Sequence, residues 1–283
     1  MKSHFAVSPL IESTDATSST RLSSAVVLPA YNEAGRITDV LKAIAQAKLI
    51  DEIVVVTDGC DDTTADEARG FAARLARGEV LNERRGAIEI PMRVFELEQN
   101  IGKGGAMTYG ALRTEADVLL FLDADLIGLR PSHVDALLSP AVSADASVRC
   151  DMVMGLFGAA RGGPLGWWLS WCHRRYAELT GQRSIRREVF LAVPDLTKSR
   201  YGVETAITRY VYSWHLRVSH TMIDNVTHPL KEEKAGLWRG LSRRFSMLYQ
   251  IYTTAFLFTL RSNASSQSRE KTVEMRQRFS ERL

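Results

Sequence analysis

The sequence predicts an α/β fold, with a mostly parallel central sheet flanked by helices. Three observations lead there. Short runs rich in Val, Ile and Leu alternate with segments of helical periodicity. The runs are continuously apolar, as strands are when helices cover both faces of a sheet. Polar clusters recur where each run ends, the place where ligands meet open parallel sheets.

The elements follow in order. Residues 24–30 (SAVVLPA) read as a buried strand, then a loop (YNEAG). A helix is predicted over 36–48, with Ile37, Val40, Leu41 and Ile44 on one face. Residues 51–59 (DEIVVVTDG) form a second strand that ends on an Asp-Gly turn. A second helix covers 63–75, a third strand 92–98, a third helix 104–115 and a fourth strand 116–125 (ADVLLFLDAD). After about Gly155 this rhythm breaks. Glycine and tryptophan accumulate, including Trp167, Trp168 and Trp171. A long helix is predicted over 237–260. Leu241, Phe245, Leu248, Tyr252 and Phe256 fall on one stripe, with Arg239, Arg243 and Arg244 near its start. Residues 262–283 read as a polar tail or an exposed helix. No internal repeat is present.

Composition narrows the classes. The 283 residues are 45% hydrophobic and 24% charged, as in ordinary globular proteins. A net charge of +3 gives no support to a nucleic-acid partner. Cys60, Cys150 and Cys172 are odd in number and widely spaced, which argues against a disulfide framework or a zinc site and for a reducing compartment. The polar N-terminus (1–22) reads as a disordered tail without a signal-peptide core. No apolar run reaches the roughly 18 residues of a membrane span.

The strand ends carry the chemistry. NIGKGGAM (100–107) lacks the Ser or Thr and the glycine spacing of a Walker loop, and Met107 stands where a dinucleotide fingerprint needs Gly. Gly102, Gly104 and Gly105 still let backbone approach an anion at a helix start, and Lys103 adds a charge. Taken alone, the stretch also fits a tight strand–helix turn. Asp123 and Asp125, separated by Ala124, present two hard carboxylates at a strand end. Such a pair suits Mg2+ or Mn2+ shared with substrate phosphates, although a lone D-x-D is also a common loop cap.

Four motifs occur in order: VVLPAYNEAGRI, VVVTDGCDDTT, NIGKGGAM and FLDADLIGLRP. Together they resemble the nucleotide-sugar-binding half of the GT-A (Rossmann-like) glycosyltransferases. The resemblance implies donor-binding roles for Pro29, Ala30, Tyr31, Glu33, Asp58, Gly102, Lys103, Asp123 and Ala124, with metal ligation by Asp123 and Asp125. Further stretches (LTGQRSIRREVFLAVPD, SRYGVETAIT, NVTHPLK) are similar to glucosyl- and mannosyl-3-phosphoglycerate synthases, which are retaining enzymes. That likeness implies an acceptor-side carboxylate at Glu204 and a third metal ligand at His228, with His220 as the nearby rival. It also implies acceptor contacts at Gly181, Gln182, Arg183, Tyr201 and Gly202. The acceptor-phosphate stretch of those synthases has no match here; Arg161 is what stands in its place.

The expected activity is therefore transfer of a hexose from a UDP-glucose or GDP-mannose type donor to a hydroxyl acceptor. Glu204, Asp125 and Lys103 are the expected catalytic groups. The expected division is a donor half over 23–155, an acceptor half over 156–235 and a C-terminal amphipathic helix and tail over 236–283. The alternative is an inverting transferase using a polyprenyl-phosphate or other lipid acceptor, its phosphate met by Arg183, Arg186 and Arg187. The tryptophans and the C-terminal helix would then touch the inner membrane face of an otherwise cytoplasmic protein. The same residues are equally suited to packing in the fold or across a dimer, and a homodimer is what the family implies.

Overall fold

The computed structural model describes residues 21–82, 86–87, 90–157, 180–194, 196 and 202–227. The tail, the tryptophan segment, the C-terminal helix, Arg161, Tyr201 and His228 lie outside them. Within them, β1 (Ser24–Ala30), β2 (Glu52–Asp58), β5 (Met92–Leu97), β6 (Val118–Phe121), β7 (Met152–Phe157), β8 (Arg183–Arg186) and β9 (Val218–Ile223) form one seven-stranded sheet. Its order is β5-β2-β1-β6-β8-β7-β9. Only β8 runs against the rest, pairing antiparallel with β6 and β7. β3 (Leu81–Asn82) and β4 (Gly86–Ala87) make a small separate hairpin.

Alternation along the strands assigns the two faces. Val26 and Leu28 of β1 meet α1 (Ile37–Ala45), α2 (Thr64–Ala76) and α4 (Pro131–Val142) through Ile37, Leu41, Phe71 and Leu137. Ala25 and Val27 face α3 (Lys103–Ala111), α5 (Arg187–Leu191) and α6 (Val203–Ser213) through Met107, Phe190 and Ile207. Val26, Val27 and Leu28 are fully buried. Burial of a side chain of this kind contributes about 1.5–3 kcal/mol. The continuous apolar runs therefore belong to strands covered on both sides, as expected.

The differences from the sequence reading have local causes. β6 ends at Phe121, so Asp123 and Asp125 lie in the turn beyond it rather than on the strand. α3 begins at Lys103 and stops at Ala111, four residues short of the expected end. Helix α4 is absent from the sequence reading. Pro131 at its first position is well placed, but Pro140 inside it reads as a breaker. The carbonyl of Pro140 is used outside the helix, accepting from Cys150 N–H at 2.9 Å. β7, β8 and β9 were hidden by their composition: β7 carries Gly155, β8 has arginines at both ends, and β9 mixes Ser219, His220 and Thr221 with its apolar residues.

Candidate active site

The sheet register brings the polar clusters to one edge. Ala30 pairs with Thr57, Asp58 with Leu97, and Val27 with Phe121. The chain therefore leaves β1, β2, β5 and β6 on the same side.

The first loop is tied to the second by its own backbone. Asn32 takes φ 56°, a left-handed conformation that Asn tolerates better than most residues. Its Oδ1 accepts Asp61 N–H at 2.9 Å. Glu33 N–H donates to Thr64 Oγ1 at 2.8 Å, and Ala34 N–H to Asp62 Oδ2 at 3.2 Å. Gly35 N–H reaches the Glu67 carboxylate at 2.9 Å. Burial works against the charge of Asp62, but hydrogen bonds from Thr64 and Ala34 outweigh it and lower its pKa. Tyr31, at the head of this loop, is 47% exposed and free to meet a ligand face. Pro29 and Ala30 form the strand end beneath it, and the Glu33 carboxylate lies 3.6 Å from Arg36.

Asp58 holds the next loop. Its carboxylate accepts Ile101 N–H at 2.7 Å and Gly102 N–H at 2.9 Å, and the residue is only 3% exposed. Gly102 caps α3 at φ 82°, a conformation side chains disfavour. Asp58 and Gly102 thus fix where α3 starts, and with it Lys103.

Lys103 is the hub. Its ammonium donates to Asp123 Oδ1 at 2.7 Å and to Glu204 Oε1 at 2.6 Å. Burial opposes its charge, yet the two carboxylates prevail and hold its pKa above the ordinary lysine value. Asp123 Oδ2 accepts from Gln182 Nε2 at 2.9 Å. Gly181 lies against the same group. A Cβ built there would sit 2.7 Å from Asp123 Oδ2 and 2.8 Å from Lys103 Nζ. Glu204 stands in the first turn of α6, behind the buried cap Gly202. The structure thus brings together Lys103, Asp123, Gly181, Gln182 and Glu204 from four separate stretches of chain.

Other expectations are corrected. Arg183 was expected to meet the acceptor, but it is fully buried and bonds protein. It donates to the carbonyls of Thr180 and Glu204 and to Thr208 Oγ1. Burial lowers its pKa to about 10 against the pull of Glu204 and Asp123. Arg186 pairs with Asp151 and Glu188, and Arg187 with the Ala111 carbonyl and Glu115. Arg186 sits opposite Val118, at the far end of β6 from Asp123. These arginines are not a phosphate cluster beside the aspartates. His220 is exposed on β9, three places from β6 in the sheet, and is not placed beside Asp125. Thr227, which precedes His228, is paired with Ile127, two residues beyond Asp125, through both backbone hydrogen bonds at 2.9 and 3.1 Å.

Sequence reasoning left Thr180 and Asp62 without roles. The one signal for each was a hydroxyl or carboxyl residue beside a motif glycine or helix start. Among the described residues no three His, Cys, Asp or Glu groups converge. Two carboxylates, with Asp123 and Asp125 both partly exposed, suit a hard divalent cation that takes its remaining oxygens from a diphosphate.

Comparison with known proteins agrees with this geometry. Residues 25–212, well over half the chain, match the model of glycosyl transferase family 2. Glucosyl-3-phosphoglycerate synthase of Mycobacterium tuberculosis (strain H37Rv) is 32% identical over 122 residues, which is 42% of this chain and 34% of that protein. Dolichyl-phosphate beta-glucosyltransferase of Drosophila melanogaster is 34% identical over 113 residues, 37% of this chain and 31% of that protein. The matches thus span about a third of these relatives' length. The fold is shared with the crystal structure of the Mycobacterium tuberculosis synthase in complex with Mn2+, UDP-glucose and phosphoglyceric acid. The TM-score is 0.61 at 22% identity, over 83% of this chain and 78% of that one. Strand ends, sheet order and sequence lead to one conclusion: the chain belongs to glycosyl transferase family 2.

Proposed function

We propose that this chain is a glycosyltransferase that moves a hexose from a nucleotide-diphosphate donor to a hydroxyl acceptor, dependent on Mg2+ or Mn2+ and with retention of configuration. The observation that carries the reading is the cluster at the β6 end, where one ammonium joins Asp123 to Glu204.

Tyr31 and the strand end at Pro29–Ala30 would receive the base and ribose. Asp125 and Asp123 would hold the cation, with His228 as third ligand, since Thr227 is already bridged to the chain just beyond Asp125. When bound, the cation supplies Lewis-acid stabilisation of the departing diphosphate. Lys103 supplies a positive charge that costs no reorganisation, because its position is fixed by α3 and two carboxylates. Glu204 would orient the acceptor hydroxyl. The Asp123 and Glu204 oxygens share one ammonium, so they lie within two hydrogen-bond lengths of each other. With the diphosphate held at Asp123, Glu204 would stand on the leaving-group side of the site, which supports acceptor approach on that face and hence retention. An inverting base would belong on the opposite face of the sugar.

The likeness to a dolichyl-phosphate transferase keeps a lipid-linked acceptor as the competing outcome. The arginine cluster that reading invoked is buried or at the wrong sheet end. No helix among the described residues is long and apolar enough to cross a membrane. Peripheral membrane contact and a homodimer remain proposals that vesicle flotation and light scattering decide.

The test is a screen of UDP- and GDP-sugars for metal-dependent thermal protection and hydrolysis, followed by hydroxyl acceptors and NMR of the product anomer. An α-linked product from an α-linked donor supports the reading. An inverted product overturns retention, and protection that chelator leaves unchanged overturns the metal.

A further inference from the structure

Gln182 was expected to touch the acceptor. Its side chain is fully buried, and Nε2 donates to Asp123 Oδ2 at 2.9 Å. Thr180 fixes which way the amide faces. Gln182 N–H donates to Thr180 Oγ1 at 3.3 Å, and that hydroxyl donates to Gln182 Oε1 at 3.1 Å. With Oε1 taken, the NH2 group turns to the carboxylate. The Thr180 carbonyl accepts from Arg183 Nε at 3.2 Å, and Arg183 Nη1 donates to the Glu204 carbonyl at 3.1 Å. Lys103 joins Glu204 back to Asp123.

The result is a closed ring: Arg183, Thr180, Gln182, Asp123, Lys103, Glu204. It contains two cations and two carboxylates, so its charges balance. A neutral amide is the donor that can orient Asp123 without adding positive charge near an incoming cation. Lysine or arginine at 182 would add such a charge, and at this separation in a partly buried site the repulsion would be large.

We propose that Gln182, held by Thr180, is a positioning residue that presents the Asp123 carboxylate to the metal–diphosphate, and is not an acceptor contact. The proposal rests on the metal–diphosphate reading above. Outer-shell donors to ligating carboxylates generally change metal affinity by 10–100-fold when removed.

The test is calorimetric titration of UDP into the full chain with Mn2+ and, separately, with chelator. The variants are Gln182→Met, which keeps shape but donates nothing, and Thr180→Val, which frees the amide. Gln182→Met is expected to weaken Mn2+-dependent UDP binding by roughly 10–100-fold. The metal-free UDP affinity and the acceptor KM stay unchanged, and Thr180→Val shows a smaller loss of the same kind. Should Gln182→Met fail to fold, Thr180→Val alone decides. Mn2+-dependent binding equal to wild type in the folded variants overturns the proposal, as does a raised acceptor KM with that binding intact. Absence of Mn2+-dependent UDP binding in the wild-type chain is a separate result, and it defeats the underlying reading and the proposal with it.

Discussion

Gly181→Ala places a methyl group at the centre of the site. The added Cβ would sit 2.7 Å from Asp123 Oδ2, 2.8 Å from Lys103 Nζ and 2.9 Å from Asp123 Oδ1. Ordinary van der Waals contact for a Cβ begins at 3.4 Å, so the carboxylate or the ammonium must retreat by about half an ångström or more. Both are linked to Glu204 and Gln182, so the displacement propagates. A misplacement of about 1 Å in a catalytic constellation can cost a hundredfold, and half of that gives a loss of roughly tenfold or more in donor turnover. Stability should move differently. The backbone at 181 is not left-handed, and removing a glycine from such a position reduces unfolded-chain entropy, a gain of about 0.4–1 kcal/mol that offsets part of the local strain. Thermal unfolding beside a nucleotide-release assay reads both effects. Turnover and UDP affinity equal to wild type in Gly181→Ala would refute the view that this glycine keeps space for the Asp123–Lys103 pair.

Further perturbations separate the parts. Asp125→Ala should abolish metal-dependent donor turnover; full activity would remove Asp125 from the metal set. Asp62→Ala deletes the acceptor of Thr64 N–H at 3.0 Å and Ala34 N–H at 3.2 Å. It should lower stability in urea by about 1–2 kcal/mol and weaken UDP binding, because the Tyr31 loop loses a tie. Arg183→Met takes from the Thr180 carbonyl its guanidinium donor, while the Glu204 carbonyl keeps Thr208 Oγ1 at 2.8 Å; a loss of about 1–3 kcal/mol is expected, and a loss well under about 1 kcal/mol would show the ring to be dispensable for folding. His133 has its pKa lowered from 6.5 by burial and then by the Arg130 charge. With the folded pKa below the unfolded one, the unfolded chain takes up the proton first as pH falls. Stability is therefore full above about 6.5 and declines as pH drops below it. His133→Gln should flatten that limb of the Tm–pH curve, and an unchanged slope would assign it to other groups.

The donor half of the fold was legible in the sequence because β1, β2 and β6, buried on both faces, are written as nearly unbroken apolar runs. The strand-end clusters were legible for the same reason, since nothing in a buried run accounts for Asp58, Lys103 or Asp123. The second half was not legible. β8 is four residues long with arginine at each end, and its burial comes from hydrogen-bonded partners far along the chain. Arg183 looked like a ligand-binding arginine because a buried unpaired arginine is rare. Only the fold reveals the carbonyls that satisfy it. The sequence pointed to Gln182 as a site residue but not to its bond with Asp123, since spacing says that a side chain is near a site but not which way it points. Glu204 could have been a mere helix-start charge; its link to Lys103, 101 residues earlier in the chain, is visible only in three dimensions.

The central claim is that Asp123 and Asp125 hold a divalent cation on the donor diphosphate. Crystals grown with Mn2+ and UDP, measured at the manganese absorption edge, test it most directly. One strong anomalous peak is expected within bonding distance of the Asp123 and Asp125 carboxylates and of diphosphate oxygens. UDP bound with no such peak, or a peak away from both aspartates, would contradict it.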